Sequence, residues 1–336
     1  MSTPQSLEAS RFRRMGMNTG HLVEATRHSL LGRSALCAAL LISAALQCAG
    51  ATGCDGTAVP GIGGVPRVWK LSDGGVAAFA KMNVNIDGYA RAYHPGNADA
   101  GALIHLCNAG RVILPNGVRY EGSESNATCI GRFMTDVSRI SQAGWKDASI
   151  GAVQWYGILG QESATIGGKK IDAVRPVLQK DGSGFYVSPT SLFDKTVSDQ
   201  AEQTRYVNPL RIASAVVPRS LMDQGIGMGS FGVAIHSTRR IAVPFVVGDG
   251  GPRIGEGSVA LARLATGAPV TDAVTRKNRF VGQVDTRDVL WVFFAGPTSS
   301  YDRSRESDLT AKAQAAYDSW GGSDRLLNCL GVVPRN

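Results

Sequence analysis

Downstream of Val68, the apolar residues of this 336-residue chain come in short runs, and glycine, proline, asparagine or serine interrupts nearly every one. Runs of that length between turn residues are strands far more readily than helices of a bundle. The 41 glycines agree, since each costs a helix more than it costs a turn. Arg111 to Tyr120 (RVILPNGVRY) carries Asn116-Gly117 between two apolar runs, which predicts a hairpin. Phe231–Ile235 and Arg240–Val247 predict a second hairpin around Ser237-Thr238, and the latter run is apolar enough to be buried on both faces. Further strands are expected at Val153–Leu159, Phe185–Val187, Ile212–Val217 and Val289–Ala295. Helices are expected over Phe133 to Ala143, ending at Gly144, over Ser258 to Ala265, and over Asp308 to Trp320 with Ser307 as N-cap. The expected fold class is therefore mainly β: a single-domain β-barrel of roughly six to eight strands with a few peripheral α-helices. A strand–turn–helix unit in Ile241 to Leu264 suggests the double-psi kind of barrel.

The first 51 residues stand apart from that domain. Arg27, His28 and Arg33 precede the apolar run Ala35 to Ala45, and Ala49-Gly50-Ala51 follows. A basic flank, a short apolar core and a small-x-small site make an export signal, with cleavage expected after Ala51. A lipoprotein, with Cys54 as the lipidated residue, is the alternative. Residues 52–67, rich in Gly and Pro, read as an extended lead-in, and residues 68–336 as the domain. Export to a secreted or periplasmic location gives the cysteines their meaning. Cys54, Cys107, Cys129 and Cys329 remain, an even number suited to disulfides. The pairing expected is Cys107 with Cys129 and Cys54 with Cys329.

Charge and motif content narrow the chemistry. Five Arg and two Glu in residues 1–51 leave the remainder at +5 of the formal +8. Its basic pairs, Lys169-Lys170 and Arg239-Arg240, are scattered, so nucleic acid is not an expected partner. No CxxC or HExxH occurs, and His94, His105 and His236 are the only histidines after the signal. No metal or cofactor is expected, and no histidine-based nucleophilic triad. A membrane is not an expected partner once the signal is removed, and the protein is expected to be a monomer.

The most informative stretch is IAVPFVVGDGGPRIGEGSVALARL, Ile241 to Leu264. An apolar strand runs into a turn that carries Asp249, and a helix follows Glu256. Glycines on both sides of each acid leave room for a bulky ligand. Glycoside hydrolysis needs two carboxyls that flank one bond, one to protonate the leaving oxygen and one to activate water or attack carbon. Asp249 and Glu256 are thus the candidate catalytic pair. Their roles stay open: Glu256 at a helix start would be held charged as a base, and in an apolar pocket it would be the acid.

The same stretch resembles the chitosanases of glycoside hydrolase family 75 and their bacterial relatives, whose pattern is a G-D turn followed by I-G-E-x-S-x-x-L-A. Gly248-Asp249, Ile254-Gly255-Glu256, Ser258 and Leu261-Ala262 match it, with Gly257 where Ala is common. Other blocks fall in the same order, among them Ala78-Phe79-Ala80-Lys81-Met82, Ala92-Tyr93-His94-Pro95 and Gly184-Phe185-Tyr186-Val187-Ser188. The resemblance covers most of residues 68–300. It implies that Asp249 and Glu256 are catalytic and that hydrolysis inverts, with the carboxyls roughly 6.5–9.5 Å apart. Chitosan or a related amino-sugar polysaccharide is the implied substrate. Asn83 and Asn85 stand where an acidic run is expected, and only Asp87 is kept. That departure, with the positive net charge, favours the hydrolase class over chitosan itself. Asp87, Tyr93, His94 and Trp155 are candidates for lining a sugar subsite. The alternatives are a non-catalytic glycan-binding protein on the same fold and a peptidoglycan-cleaving enzyme.

Overall fold

A computed structural model describes residues 53–123 and 127–335; the expected export signal lies outside the described residues. Thirteen strands form among them. The edge begins with β1 (Gly56–Pro60) and β2 (Arg67–Leu71), which pair antiparallel. β3 (Val76–Asn85) follows and opens the barrel proper. Its other members are β9 (Ser214–Val217), β10 (Phe231–His236), β11 (Ala242–Gly250), β12 (Glu256–Ser258) and β13 (Val284–Phe293). They run in the order β3-β12-β9-β11-β10-β13, and β13 pairs back to β3, so six strands close on themselves. The fold is a β-barrel with few helices, as the punctuated apolar runs imply. The pairs β3–β12 and β9–β11 are parallel and the rest antiparallel, so the barrel is not a simple meander.

Alternation along the strands builds two cores. Ala78, Ala80, Met82, Val243, Phe245, Val247, Trp291 and Phe293 fill the interior. The intervening residues, such as Phe79, Val246, Leu290 and Val292, face outward under α5 (Glu306–Trp320) and α6 (Gly322–Val332). α3 (Arg219–Met222) follows β9, and Leu221 joins the interior. So does Leu261 of α4 (Val259–Ala265), whose first turn Ser258 caps by accepting the Leu261 N–H. A satellite lobe has its own core around Phe133, Val153 and Trp155. It holds β4 (Gly110–Ile113), β5 (Arg119–Tyr120), α1 (Ala127–Ile130), α2 (Arg132–Gln142) and β6 (Ala152–Trp155), with the hairpin β7 (Gly160–Ile166) and β8 (Lys169–Pro176) beside it. Both expected disulfides are present, Cys107–Cys129 in the lobe and Cys54–Cys329 between lead-in and last helix.

Several expectations need correcting. Within the extended lead-in, residues 56–60 pair as an edge strand. Cys54 is committed to a disulfide, which leaves no thiol for a lipid. Phe185–Val187 is not a strand; only Tyr186 bridges, to Leu178. The strand expected at Val153–Leu159 ends at Trp155. Ser307 does not cap the Asp308 helix, which already starts at Glu306 and places Glu306 and Asp308 against its positive end. Among the described residues no helix is long and apolar enough to cross a membrane.

Candidate active site

One rim of the barrel and the satellite lobe enclose an open cleft of about 840 Å³. Asp249, Glu256 and Asp87 all line it.

Asp249 reaches it through a register shift. In the β11–β9 ladder, Val247 pairs with Ala215 and Asp249 with Val216, so Gly248 is an extra residue. Strict alternation would put Asp249 on the same face as Phe245 and Val247, inside the barrel. A bulge re-aims the side chain, and the carboxyl turns to the cleft. The glycine before Asp249 thus serves a bulge rather than the sharp turn expected after the strand. Ser191 donates to Oδ1 of Asp249 from its N–H (3.0 Å) and its hydroxyl (2.6 Å), and the Gly250 N–H donates to the same oxygen at 2.8 Å. Burial raises the Asp249 pKa, and those donors act against it.

Glu256 lies on a barrel strand, not at a helix start. β12 runs parallel to β3 with Glu256 opposite Asn83. Glu256 points to the cleft and Gly257 to the interior, where a Cβ would stand 2.9 Å from Leu261, 3.0 Å from Met82 and 3.1 Å from Trp291. Gly255 has φ +108 and its missing Cβ would sit 2.9 Å from the Lys81 carbonyl. The glycines around Glu256 therefore serve close packing and a left-handed turn, not ligand access. Burial raises the Glu256 pKa; the Arg253 guanidinium, 3.9 Å away, opposes the shift, and the Asp249 charge adds to it. One strand, β9, separates the two acids, with Asp249 opposite Val216 and Gly257 opposite Ala215. Two strand spacings put their backbones roughly 10 Å apart.

Asp87 sits just beyond β3. Asn85 Oδ1 accepts the Asp87 N–H at 2.7 Å, and Tyr93 donates its hydroxyl to Asp87 Oδ1 at 2.8 Å. Burial, and then the Asp249 charge, raise its pKa to about 8. Asp87 is a half-buried third carboxyl that lines the cleft beside the candidate pair. Among the described residues no three His, Cys, Asp or Glu side chains are grouped closely enough to hold a metal ion.

The remaining candidates divide. Tyr93 reaches the cleft and holds Asp87, but its ring is buried and offers no stacking face. His94 lies outside the cleft, with its ring edge-on to Phe185 at 4.9 Å and Nδ1 accepting from the Gly96 N–H. Burial lowers its pKa. Trp155 is only 4% exposed and packs between Trp145 and Tyr186 in the lobe core. Its neighbour Tyr156, 50% exposed, lines the cleft instead, with the Arg111 guanidinium 5.9 Å from its ring centre. The one-residue error follows from strand alternation: the wet position of this pair is the second. Arg111 pairs with Glu121 at 3.1 Å on the same wall. Ser191 and Arg253 touch the two acids and are not among the residues that the sequence singled out. For Ser191 no local signal exists, as its bond to Asp249 spans 58 residues. Arg253 could have been found from its place between the two acids.

No family model matches the chain, and no curated protein matches it.

Proposed function

We propose that this is a secreted or periplasmic glycoside hydrolase that cuts a β-linked amino-sugar polysaccharide internally and with inversion, using Asp249 and Glu256. The observation that supports this most is their placement: two half-buried acids on barrel strands, one strand apart, both facing an open cleft with room for a chain of sugars. An inverting hydrolase needs a carboxyl on each side of the bond and space for water on one side. Burial raises the pKa of both acids, which favours the protonated form that a proton donor needs. Tyr156 on the facing wall supplies a flat surface for a sugar ring. The resemblance of Gly248-Asp249 and Ile254-Gly255-Glu256 to family 75 chitosanases supports the substrate class. The two disulfides suit an oxidising compartment.

The test is release of reducing ends from chitosan and from peptidoglycan by the oxidised protein, beside Glu256→Gln. Turnover reduced at least about 100-fold by the substitution, in a protein that melts like the parent, is the expected result. A folded protein inactive on both polymers would instead point to a glycan-binding protein.

A further inference from the structure

Asp87 is a half-buried acid for which the proposed pair leaves no task. Its surroundings are built. Tyr93 donates to Oδ1, and the Ser188 hydroxyl lies 3.5 Å from the same oxygen while it also accepts the Gly88 N–H at 3.1 Å. The hydrogen bonds to the Asp87 carboxyl thus fall on Oδ1, and Oδ2 is the oxygen placed to carry a proton. Asp249 shows the same pattern, with its three donors on Oδ1.

Behind the cleft, a small cavity of about 10 Å³ lies between these two acids. Its other walls include Asn85, Thr190, Ser214 and Ser258; the Thr190 and Ser258 hydroxyls already donate to the Leu192 and Ile212 carbonyls, so Asn85, Ser214 and the two acids are the partners for a water. That volume is about the least that admits one water, and a water needs such polar partners. The charged and titratable groups that act on Asp87 are Asp249 of β11, Glu256 of β12 and Tyr93 of its own loop, and Asp87 acts in turn on Tyr156 of the lobe. No cation is among them; Arg253 faces Glu256, and Arg111 pairs with Glu121.

We propose that Asp87 shares a proton with Asp249 across one bridging water and so keeps Asp249 loaded as proton donor, with Glu256 as the base. This rests on the hydrolase reading above and assigns the roles within it. Asp87 is a positioning residue here, since it acts through Asp249. In one turnover the Asp249 O–H bond breaks as the leaving oxygen gains the proton. The attacking water gives its proton to Glu256. The pair is then left with both carboxyls ionised. Glu256 releases its proton to solvent, and the pair recovers one from there. A pKa of about 8 at Asp87, raised in part by the Asp249 charge, keeps one proton on the pair at neutral pH, and the Tyr93 hydrogen bond, which favours the charged form, limits the shift.

Two measurements test this together. The pH profile of kcat is recorded for the parent, Asp87→Asn and Tyr93→Phe, and carboxyl ¹³C NMR titrations are recorded without substrate for the parent and Asp249→Asn. Parent kcat should fall as pH rises through about 8. Asp87→Asn should lower kcat at least about tenfold with KM within about twofold, and lose that limb. Tyr93→Phe should move the limb to higher pH, because the lost bond favoured the ionised carboxyl. In the NMR titration Asp87 should titrate near pH 8, and lower once Asp249→Asn removes the neighbouring charge. A folded Asp87→Asn protein with parental kcat and profile would overturn the proposal, as would an Asp87 titration unmoved by Asp249→Asn. Coupled titration without turnover of any glycan would leave the proton sharing standing and remove the hydrolase reading. Turnover with uncoupled titration would do the reverse.

Discussion

Strand β11 changes character along its length. Val243, Phe245 and Val247 lie in the barrel interior, and Phe245 touches Trp291 and Phe293 with ring centres 5.7 and 5.4 Å apart. Beyond the Gly248 bulge, Asp249 faces water and two other acids. β3 changes in the same way, from Ala78, Ala80 and Met82 inside to Asn83, Asn85 and Asp87 at the rim. The packed interior and the acid-lined rim therefore occupy different ends of the same strands. The interior is dry and close-packed. The rim holds three acids whose pKa values are all raised by burial, which means that each ionised form is destabilised by the fold. A rigid interior is what allows such a rim to persist.

Substitutions on the interior side should cost most and act everywhere. Removing Cys54–Cys329, which closes a loop of 275 residues, is expected to lower stability by about 5 kcal/mol on the chain-entropy view. Phe245→Ala should cost about 3–5 kcal/mol, since the ring is fully buried among aromatics. Urea unfolding of the oxidised protein reads both, and a loss under 1 kcal/mol from Phe245→Ala would contradict the division between interior and rim. Removing Cys107–Cys129 should cost less, about 3 kcal/mol for its 22-residue span. Its effect should also be local. Arg111 lies close after Cys107 on β4 and forms the cleft wall with Tyr156, so KM for a glycan should rise while the barrel stays folded. An unchanged KM would mean that the lobe does not shape the cleft.

The parts visible in sequence are those set by local rules. Asn116-Gly117 makes the β4–β5 turn, with Gly117 at φ +81, and Phe231 to Val247 makes the β10–β11 hairpin. Asp249 and Glu256 do share a cleft. What is hidden is long-range or depends on register. Barrel closure joins Phe79 to Leu290, and no pattern in either run announces its partner. The β7–β8 hairpin is polar, its inward side resting on few residues such as Ala164, Ile166 and Ile171, so apolar runs do not reveal it. Its Gly167-Gly168 turn is the signal that does. α6 begins at Gly322, inside a Gly-Gly pair that reads as a helix stop. Which of Trp155 and Tyr156 faces the cleft turns on a single step of alternation, which composition cannot resolve. Asp87 looks like an isolated turn acid until the fold places it beside two others, so its raised pKa is a property of the fold rather than of its neighbours in sequence.

The smallest effect tests the rim most directly. A carboxyl whose pKa is about 8 in the folded protein and near 3.8 in a free chain binds its proton more tightly when folded. The stability associated with that proton is complete below the free-chain pKa and is lost as pH rises from there through about 8. Above that, an ionised Asp87 sits half-buried beside Asp249 and Glu256 at a constant cost. Asp87→Asn keeps the acceptor for Tyr93 and removes the titration. Its melting temperature should therefore approach the parent's near pH 4 and rise relative to it toward pH 9. Each pKa unit corresponds to about 1.4 kcal/mol, and relaxation and cleft water reduce the sum to a gain on the order of 1–2 kcal/mol at pH 9. A difference in melting temperature that stays constant from pH 4 to 9 would show that Asp87 does not titrate in the folded rim. A gain that grows with pH, in a variant whose kcat has fallen, would show that this end of the strands gives up stability for a proton held in place.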